Sequence, residues 1–306
     1  MCNNPVYRTV RFGKIGEQKV LTPCGGCLGC RVDRLQMWQA RCNSEYIKHR
    51  SAFLTFTYDN NHLEYNDNAV FPTLRRDHLH RYIDNLRHKV KSLPALPAGS
   101  TKDFSYFACG EYGDTFRRPH YHVLFFGLDF KDFEKFFIST WKNGNIKCLP
   151  ILQGGIRYVV DYMTKQLTGS AAVKEYDNTF RERPFTSYSK GLGSDFFFAH
   201  KTEISETGAV KIGSRKVPVP VYYINLCSNF DFDSISNRDK KVLDNYRQTM
   251  IKARSQGFST YDEYMNYCRR ANELSLANRY RSKGVPVSPS YPKLLEFVEN
   301  PLRVSG

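Results

Sequence analysis

A strand–turn–strand segment that carries two histidines constrains the fold of this chain more than any other stretch. Two runs rich in aromatic and apolar residues, 104–112 and 119–126, are separated by a polar turn, which predicts a β-hairpin. Side chains alternate between the two faces of a strand, so His120 and His122 point to one face and Tyr121 to the other. Two imidazoles on one face suit a divalent metal ion; the alternative is a pair of ordinary strand histidines.

The segments around this hairpin predict an α+β fold. Helices are predicted at 31–50, at 74–91 with Thr73 as the N-cap, and at 130–142, 156–167, 234–256 and 259–283, and further strands at 53–58 and 219–226. One helix separates the first strand from the hairpin and another follows it, so we expect an antiparallel central sheet with helices packed on it. The tail from residue 284 contains four prolines and is expected to be extended.

The charge of the chain indicates a polyanionic partner. The formal net charge is +15 and the isoelectric point is near 9.4, which is typical of a protein that binds nucleic acid. The alternative is a basic protein that binds no nucleic acid. No apolar run approaches about 18 residues and the N-terminus lacks the apolar core of a signal peptide, so we expect an intracellular protein without a membrane span.

A pair of tyrosines supplies candidate nucleophiles. Tyr158 and Tyr162 are four residues apart in a predicted helix and therefore share a face, and Lys165 follows on the same side. A tyrosine hydroxyl forms a covalent intermediate when its pKa is lowered or its target is activated. The alternative is a helix that simply buries tyrosines against the sheet.

A cluster of cysteines near the N-terminus forms a second candidate metal site. Cys24, Cys27 and Cys30 are evenly spaced, and a structural zinc ion needs four ligands. Cys2 is the first choice for the fourth ligand and Cys42 the second. An iron–sulfur cluster and reduced thiols without a ligand are the alternatives.

The histidine pair, followed by a tyrosine helix with a trailing lysine, resembles the HUH endonuclease superfamily. Further segments are similar to the replication initiators of gokushovirus-type Microviridae: Pro23–Arg31, Leu54–Tyr58, Gly110–Gly113 ahead of Arg118–His122, Tyr158–Lys165 and Ser189–Gly193. The resemblance covers roughly residues 1–225. It implies a central antiparallel sheet of about five strands, flanked by helices, in a nicking endonuclease domain at 51–230. An N-terminal region, 1–50, would hold the cysteine cluster and a helix, and 231–306 would form a C-terminal helical extension and tail.

The resemblance also implies roles for the site residues. His120 and His122 would bind Mg2+ or Mn2+, and we choose Glu111 as the third ligand because it lies across the hairpin turn from His120. Tyr158 and Tyr162 would form 5′-phosphotyrosine links to DNA, and Lys165 would stabilise developing negative charge. Phosphate contacts are expected at Arg75, Arg76 and Arg118.

The function implied is initiation of rolling-circle DNA replication. The protein would nick the viral strand at a single-stranded or melted origin, leave a 3′-hydroxyl for a host DNA polymerase, and later transfer and ligate the strand. Since the chain has no GxxxxGK[ST] helicase motif, a host helicase is an expected partner, and the bacterial host cytoplasm the expected location. No oligomeric state is predicted. The rival functions are a plasmid initiator or mobilisation relaxase, a non-catalytic basic DNA-binding protein, and a zinc hydrolase that does not act on DNA.

Overall fold

The chain forms two compact units in the computed structural model. One unit comprises residues 35–220, and the other comprises 1–34 together with 221–306. The predicted boundaries near residues 50 and 230 stay predictions. The residues that the structure describes are 2, 5–12, 16–152, 154–167, 169–207, 209–212, 215–219, 221–226 and 247–281.

The unit at 35–220 is built on a five-stranded antiparallel sheet. Its strands are β3 (Ser51–Tyr58), β4 (Ser105–Tyr112), β5 (Pro119–Phe126), β6 (Gly144–Leu149) and β7 (Phe185–Tyr188), in the order β6–β3–β5–β4–β7. The helices of this unit are most of α1 (Leu28–Lys48), then α2 (Arg76–Lys91), α3 (Glu134–Thr140), α4 (Gly155–Lys165), α5 (Gly169–Glu175), α6 (Ser194–Ala199) and α7 (Lys201–Thr207). A small hairpin of β8 (Ala209–Ile212) and β9 (Arg215–Pro218) ends it. The predicted α+β fold with about five antiparallel strands is therefore confirmed.

The central strand β5 separates two hydrophobic cores. Tyr121, Val123 and Phe125 pack on one face of the sheet, in a core that also contains α2 and residues beside α3. Leu124 and Phe126 pack on the other face, in a core formed with α1 and α4. Burial on both faces explains why β5 ends in a continuous apolar run. His120 and His122 belong to the second set by strand alternation, and so lie on the face that α4 covers.

The smaller unit contains a hairpin and helices. Strand β1 (Val6–Phe12) pairs with β2 (Gly16–Thr22), and α1 begins in this unit. Its further helices are α8 (Val221–Leu226), α9 (residues 247–255) and α10 (Tyr261–Arg281). A small apolar core joins the start of α1 to α10, through Leu28, Val32, Leu276, Ala277 and Tyr280. Residues 234–246 of the predicted helix and the tail from 284 lie outside the described residues.

Three details of the secondary structure differ from the sequence prediction. The strand predicted at 219–226 was wrong, because Val221–Leu226 forms a helix; aromatic and β-branched content favours a strand only where a sheet accepts it. The helix predicted at 130–142 is shorter, Glu134–Thr140. Thr73 is not the cap of α2, which begins at Arg76.

The start of α2 is capped from a distant segment instead. The backbone N–H of Arg76 donates to the Glu182 carboxylate at 3.2 Å, and the Thr73 hydroxyl accepts from the N–H of Glu182 at 2.8 Å. A carboxylate at a helix N-terminus satisfies a free N–H and complements the helix dipole. Thr73 thus anchors the capping segment. None of the described helices is long and apolar enough to cross a membrane.

The predicted segment Ser189–Gly193 is a turn that is held to α1. The Arg41 guanidinium donates to the Leu192 carbonyl at 2.8 Å, and the N–H of Gly193 donates to the Glu45 carboxylate at 2.6 Å. Gly193 adopts a positive φ of 80°, which only glycine adopts without strain. These contacts give the segment a structural role beside the edge strand β7.

Candidate metal and tyrosine site

A carboxylate and two imidazoles meet on the α4 side of the sheet. Glu111 is the register partner of His120 across the β4–β5 hairpin. Its Oε1 lies 2.6 Å from the Nε2 of His120 and 3.2 Å from the Nε2 of His122. Ligand atoms at right angles around an ion with bonds of about 2.1 Å are about 3 Å apart, so these spacings fit one hard cation. The donor set of two nitrogens and a carboxylate suits Mg2+ or Mn2+ with further sites open to other oxygens.

The charges within this cluster are coupled. Burial alone would raise the pKa of Glu111, but hydrogen bonds from His120 and His122 and their charges outweigh it and hold the pKa below its usual value. For His120, burial would lower the pKa, and the bond to Glu111 reverses this and raises it. The carboxylate is therefore ionised near neutral pH and attracts positive charge, whether a proton or a metal ion.

The remaining ring nitrogens of both histidines have protein partners. The Nδ1 of His122 lies 3.1 Å from the Thr55 hydroxyl, and the Nδ1 of His120 lies 3.2 Å from the carbonyl of Arg118. Metal-binding histidines usually have their second nitrogen fixed in this way, which orients the ring. The arrangement leaves both Nε2 atoms directed at Glu111.

Helix α4 brings both tyrosines against His122. Ile156, Val159, Val160 and Met163 are buried in the core beneath α4, and the Cys109 thiol donates to the Val159 carbonyl at 3.7 Å. These contacts seat α4 on the sheet, with its tyrosine face at the edge of the core. That face lies at the histidine end of β5.

The tyrosine rings surround the imidazole of His122. Tyr162 stacks on this ring with centroids 5.0 Å apart, and Tyr158 meets it edge-on at 5.4 Å. The Tyr162 hydroxyl donates to the Tyr158 hydroxyl at 2.5 Å. Tyr158 is 49% exposed, so its hydroxyl lies where a substrate can approach. The structure therefore brings together His120, His122, Glu111 and both tyrosines.

Tyr162 is held in its neutral form in this arrangement. Burial, the bond to Tyr158 and the charge of Glu111 all raise its pKa above the usual value of 10.0. The Nζ of Lys165 lies 5.0 Å from the centre of the Tyr162 ring, the position of a cation–π contact. Lys165 thus lies beside the tyrosines, as predicted, although its contact is with the ring face.

The three predicted DNA-contacting arginines have protein partners. Arg118 donates to the Tyr58 carbonyl at 2.9 Å and to Asn60 at 2.8 Å. Arg76 lies over the Phe185 ring at 4.2 Å and beside a glutamate at 3.4 Å, and Arg75 lies 3.6 Å from another glutamate. Their role in binding phosphate stays a prediction.

Two residues of the site were not found from the sequence. Thr55 orients His122, and Phe53 contacts both His122 and Tyr158 with ring centroids 5.8 and 6.2 Å apart. Both lie on β3, in the segment Leu54–Tyr58 or next to it. Their part in the site depends on the pairing of β3 with β5, and no local sequence pattern reports that pairing.

The cysteine cluster forms in the other unit. The sulfur atoms of Cys2, Cys24, Cys27 and Cys30 lie within 4.8 Å of one another. Cys2 is thus the fourth member, as first chosen. Cys42, the second choice, is fully buried in the core beneath α1 and α4.

Comparison with known proteins identifies relatives of this chain. The family of replication-associated proteins of the ORF2 type matches residues 51–167. The Replication-associated protein ORF2 of Spiroplasma virus 4 is 26% identical, with 79% of each chain covered. The Replication-associated protein VP4 of Bdellovibrio phage phiMH2K is 24% identical, with 80% of each covered. The Replication-associated protein ORF4 of Chlamydia phage 1 is 24% identical over 75% of this chain and 61% of its own.

The matched family segment contains β3 to α4, and therefore every residue of the metal and tyrosine site. The resemblance to phage replication proteins that the sequence predicted is confirmed. No solved structure matches the chain significantly.

Proposed function

We propose that this chain, a relative of the replication-associated proteins of small phages, initiates rolling-circle replication by nicking one strand of DNA at the origin. The observation that carries the proposal is the contact of Tyr158 and Tyr162 with His122, beside Glu111 and His120. A cation-binding cluster next to two tyrosine hydroxyls matches the needs of phosphodiester transfer to tyrosine. Mere burial of tyrosines would not require the half-exposed Tyr158 at this point.

The chemical step is a transfer of the phosphodiester from DNA to protein. A tyrosine Oη attacks the scissile phosphorus and forms a phosphotyrosine bond, while the bond from phosphorus to the 3′-oxygen breaks. The phenolic proton leaves to solvent and the departing 3′-oxygen takes one up. Mg2+ or Mn2+ held by Glu111, His120 and His122 would polarise the phosphate. Lys165 adds positive charge beside the tyrosines.

Two tyrosines support a full cycle of replication. One holds the 5′ end after the first nick, and the second attacks the regenerated origin after one round. The free 3′-hydroxyl then attacks the first phosphotyrosine and closes the circle, so bonds are exchanged without an external energy source. A host polymerase extends the 3′-hydroxyl and a host helicase opens the duplex, which places the reaction in the bacterial cytoplasm.

An aromatic surface beside the hairpin is the proposed path of the single strand. Phe116 is 79% exposed in the turn between β4 and β5, and Phe180 is 52% exposed. Phe71 is 40% exposed, and the guanidinium groups of Arg117 and Arg181 lie over its ring at 6.0 and 5.3 Å. Exposed rings with arginines suit base stacking of any sequence. The same turn carries the carbonyl that holds His120.

The path can be tested with a matched pair of variants. Phe116→Ala removes a ring of this surface, and Phe198→Ala removes an equally simple ring, 59% exposed on α6. Stacking contributes about 1–3 kcal/mol per base, so Phe116→Ala should weaken single-strand binding by about 5- to 150-fold. Phe198→Ala should leave the affinity unchanged. Equal affinities of the two variants would remove this surface from the path.

The nicking reaction is tested with oligonucleotides that tile the viral strand. Each is incubated with the protein and Mn2+ and resolved on a denaturing gel. Wild type should give a covalent protein–DNA adduct at one site, and Tyr158→Phe with Tyr162→Phe together, or His120→Ala alone, should abolish it. Single tyrosine variants rank the two nucleophiles. Binding without an adduct on every oligonucleotide would instead favour a non-catalytic DNA-binding protein.

A further inference from the structure

The four sulfur atoms of the cysteine cluster have the spacing of a tetrahedral metal site. The Sγ atoms of Cys24 and Cys30 are 3.9 Å apart, and those of Cys2 and Cys27 are also 3.9 Å apart. Four sulfurs at about 2.3 Å from a zinc ion are about 3.8 Å from one another. A disulfide would require about 2.05 Å, and all four cysteines are free.

Backbone N–H groups also point at the sulfurs. The N–H of Cys24 donates to Cys2 Sγ at 3.2 Å, that of Cys27 to Cys24 Sγ at 3.4 Å, and that of Cys30 to Cys27 Sγ at 3.4 Å. Such bonds stabilise thiolates, the form in which cysteine binds metal. Neutral thiols are weak acceptors and would not need three such donors.

A buried cation lies beside the cluster. Arg31 follows Cys30 in the first turns of α1, is only 8% exposed, and interacts electrostatically with Cys27. Four thiolates around one divalent ion keep a net negative charge, and burying that charge costs less next to a guanidinium. This is a second, independent sign that the sulfurs are ionised in the folded protein.

We propose that Cys2, Cys24, Cys27 and Cys30 bind one structural Zn2+ ion. The ion would connect three parts of the smaller unit: the N-terminal end before β1, the loop after β2, and the first turn of α1. That turn also packs on α10 through Leu28. With four protein ligands the site is closed to substrate, as structural zinc sites are. It is distinct from the cation of the tyrosine site, and its assignment does not depend on the nicking activity.

Metal content of the full chain tests the assignment. Wild type, purified without chelator and passed through a weak chelating resin, should retain about one zinc ion per chain by mass spectrometry of the elements. Cys24→Ser with Cys30→Ser should lose it. The double variant His120→Ala with His122→Ala should keep it, and so should Cys268→Ser, which removes a cysteine outside the cluster.

The spectrum of a cobalt-substituted wild type guards against variants that fail to fold. Co2+ bound by four thiolates gives intense thiolate-to-cobalt absorption and the visible bands of tetrahedral geometry, and added zinc should abolish both. Cys27→His keeps a ligand and should keep the metal. Zinc absent from wild type, zinc lost in the histidine variant, or iron with acid-labile sulfide in place of zinc would each overturn the proposal.

Discussion

The two faces of β5 should separate stability from catalysis, and Tyr121→Phe tests this. The Tyr121 side chain is fully buried on the face opposite the histidines. Its hydroxyl donates to the Arg75 carbonyl at 2.8 Å, accepts from the Arg75 N–H at 3.1 Å, and lies 2.6 Å from the Tyr58 hydroxyl. The Tyr58 hydroxyl keeps a second partner, His78, at 2.9 Å.

The expected cost follows from the partners that the substitution leaves behind. The Arg75 carbonyl keeps the N–H of His78, at 3.2 Å, whereas no other bond is seen for the partly buried Arg75 N–H among the described residues. Leaving a buried donor without a partner costs about 1–3 kcal/mol. For a folding unit of this size, about 2 kcal/mol lowers Tm by about 4–8 °C.

Tyr82→Phe is the matched control, since Tyr82 is equally buried in the same core but its hydroxyl makes one long bond, 3.3 Å, to the Phe137 carbonyl. It should cost about 1 kcal/mol or less. Thermal unfolding followed by circular dichroism measures both, and the adduct assay is run well below either Tm. Tyr121→Phe should retain full cleavage activity. An effect as small as that of Tyr82→Phe, or a loss of cleavage in the folded variant, would refute the reasoning.

Two further predictions concern the core. Burial raises the pKa values of Tyr58, Tyr82 and Tyr121 above 10.0 in the folded protein, so unfolded tyrosines ionise first; stability should be complete below about pH 10 and fall above it, less steeply in Tyr121→Phe, as denaturant titrations at several pH values would show. Gly110→Ala places a methyl group 2.9 Å from the Phe185 ring and should cost about 1–3 kcal/mol, whereas Gly113→Ala, 3.7 Å from His120, should cost little; equal Tm values for the two alanine variants would contradict the packing argument.

The elements that were predicted correctly are those with a strong local pattern. The hairpin 104–126 shows continuous strand-forming residues around a polar turn, and α2 and α4 show apolar spacing of three and four. The edge strands Gly144–Leu149 and Phe185–Tyr188 were not predicted. They are short and half-exposed, so their strand conformation depends on pairing with β3 and β4 rather than on their own residues.

The candidate site was predictable for the same reason and to the same depth. Spacings of two on a strand and four on a helix place His120 with His122 and Tyr158 with Tyr162, whatever the tertiary fold. That both pairs meet requires α4 to lie on one particular face of the sheet. The face follows from the apolar residues of α4, but only the resemblance to a known family joined the two pairs before the structure did.

The third ligand depends on the turn as much as on Glu111 itself. Glu111 faces His120 because the hairpin is closed by bonds from the Gly113 N–H to the Arg118 carbonyl, 3.0 Å, and from the Arg117 N–H to the Gly113 carbonyl, 2.9 Å. Arg117 closes the turn at a φ of 49°, which is strained for a non-glycine residue. A register shift of one residue would turn Glu111 to the opposite face and leave the two histidines without their carboxylate. The turn sequence is therefore constrained by the metal site, although none of its side chains need touch a metal ion.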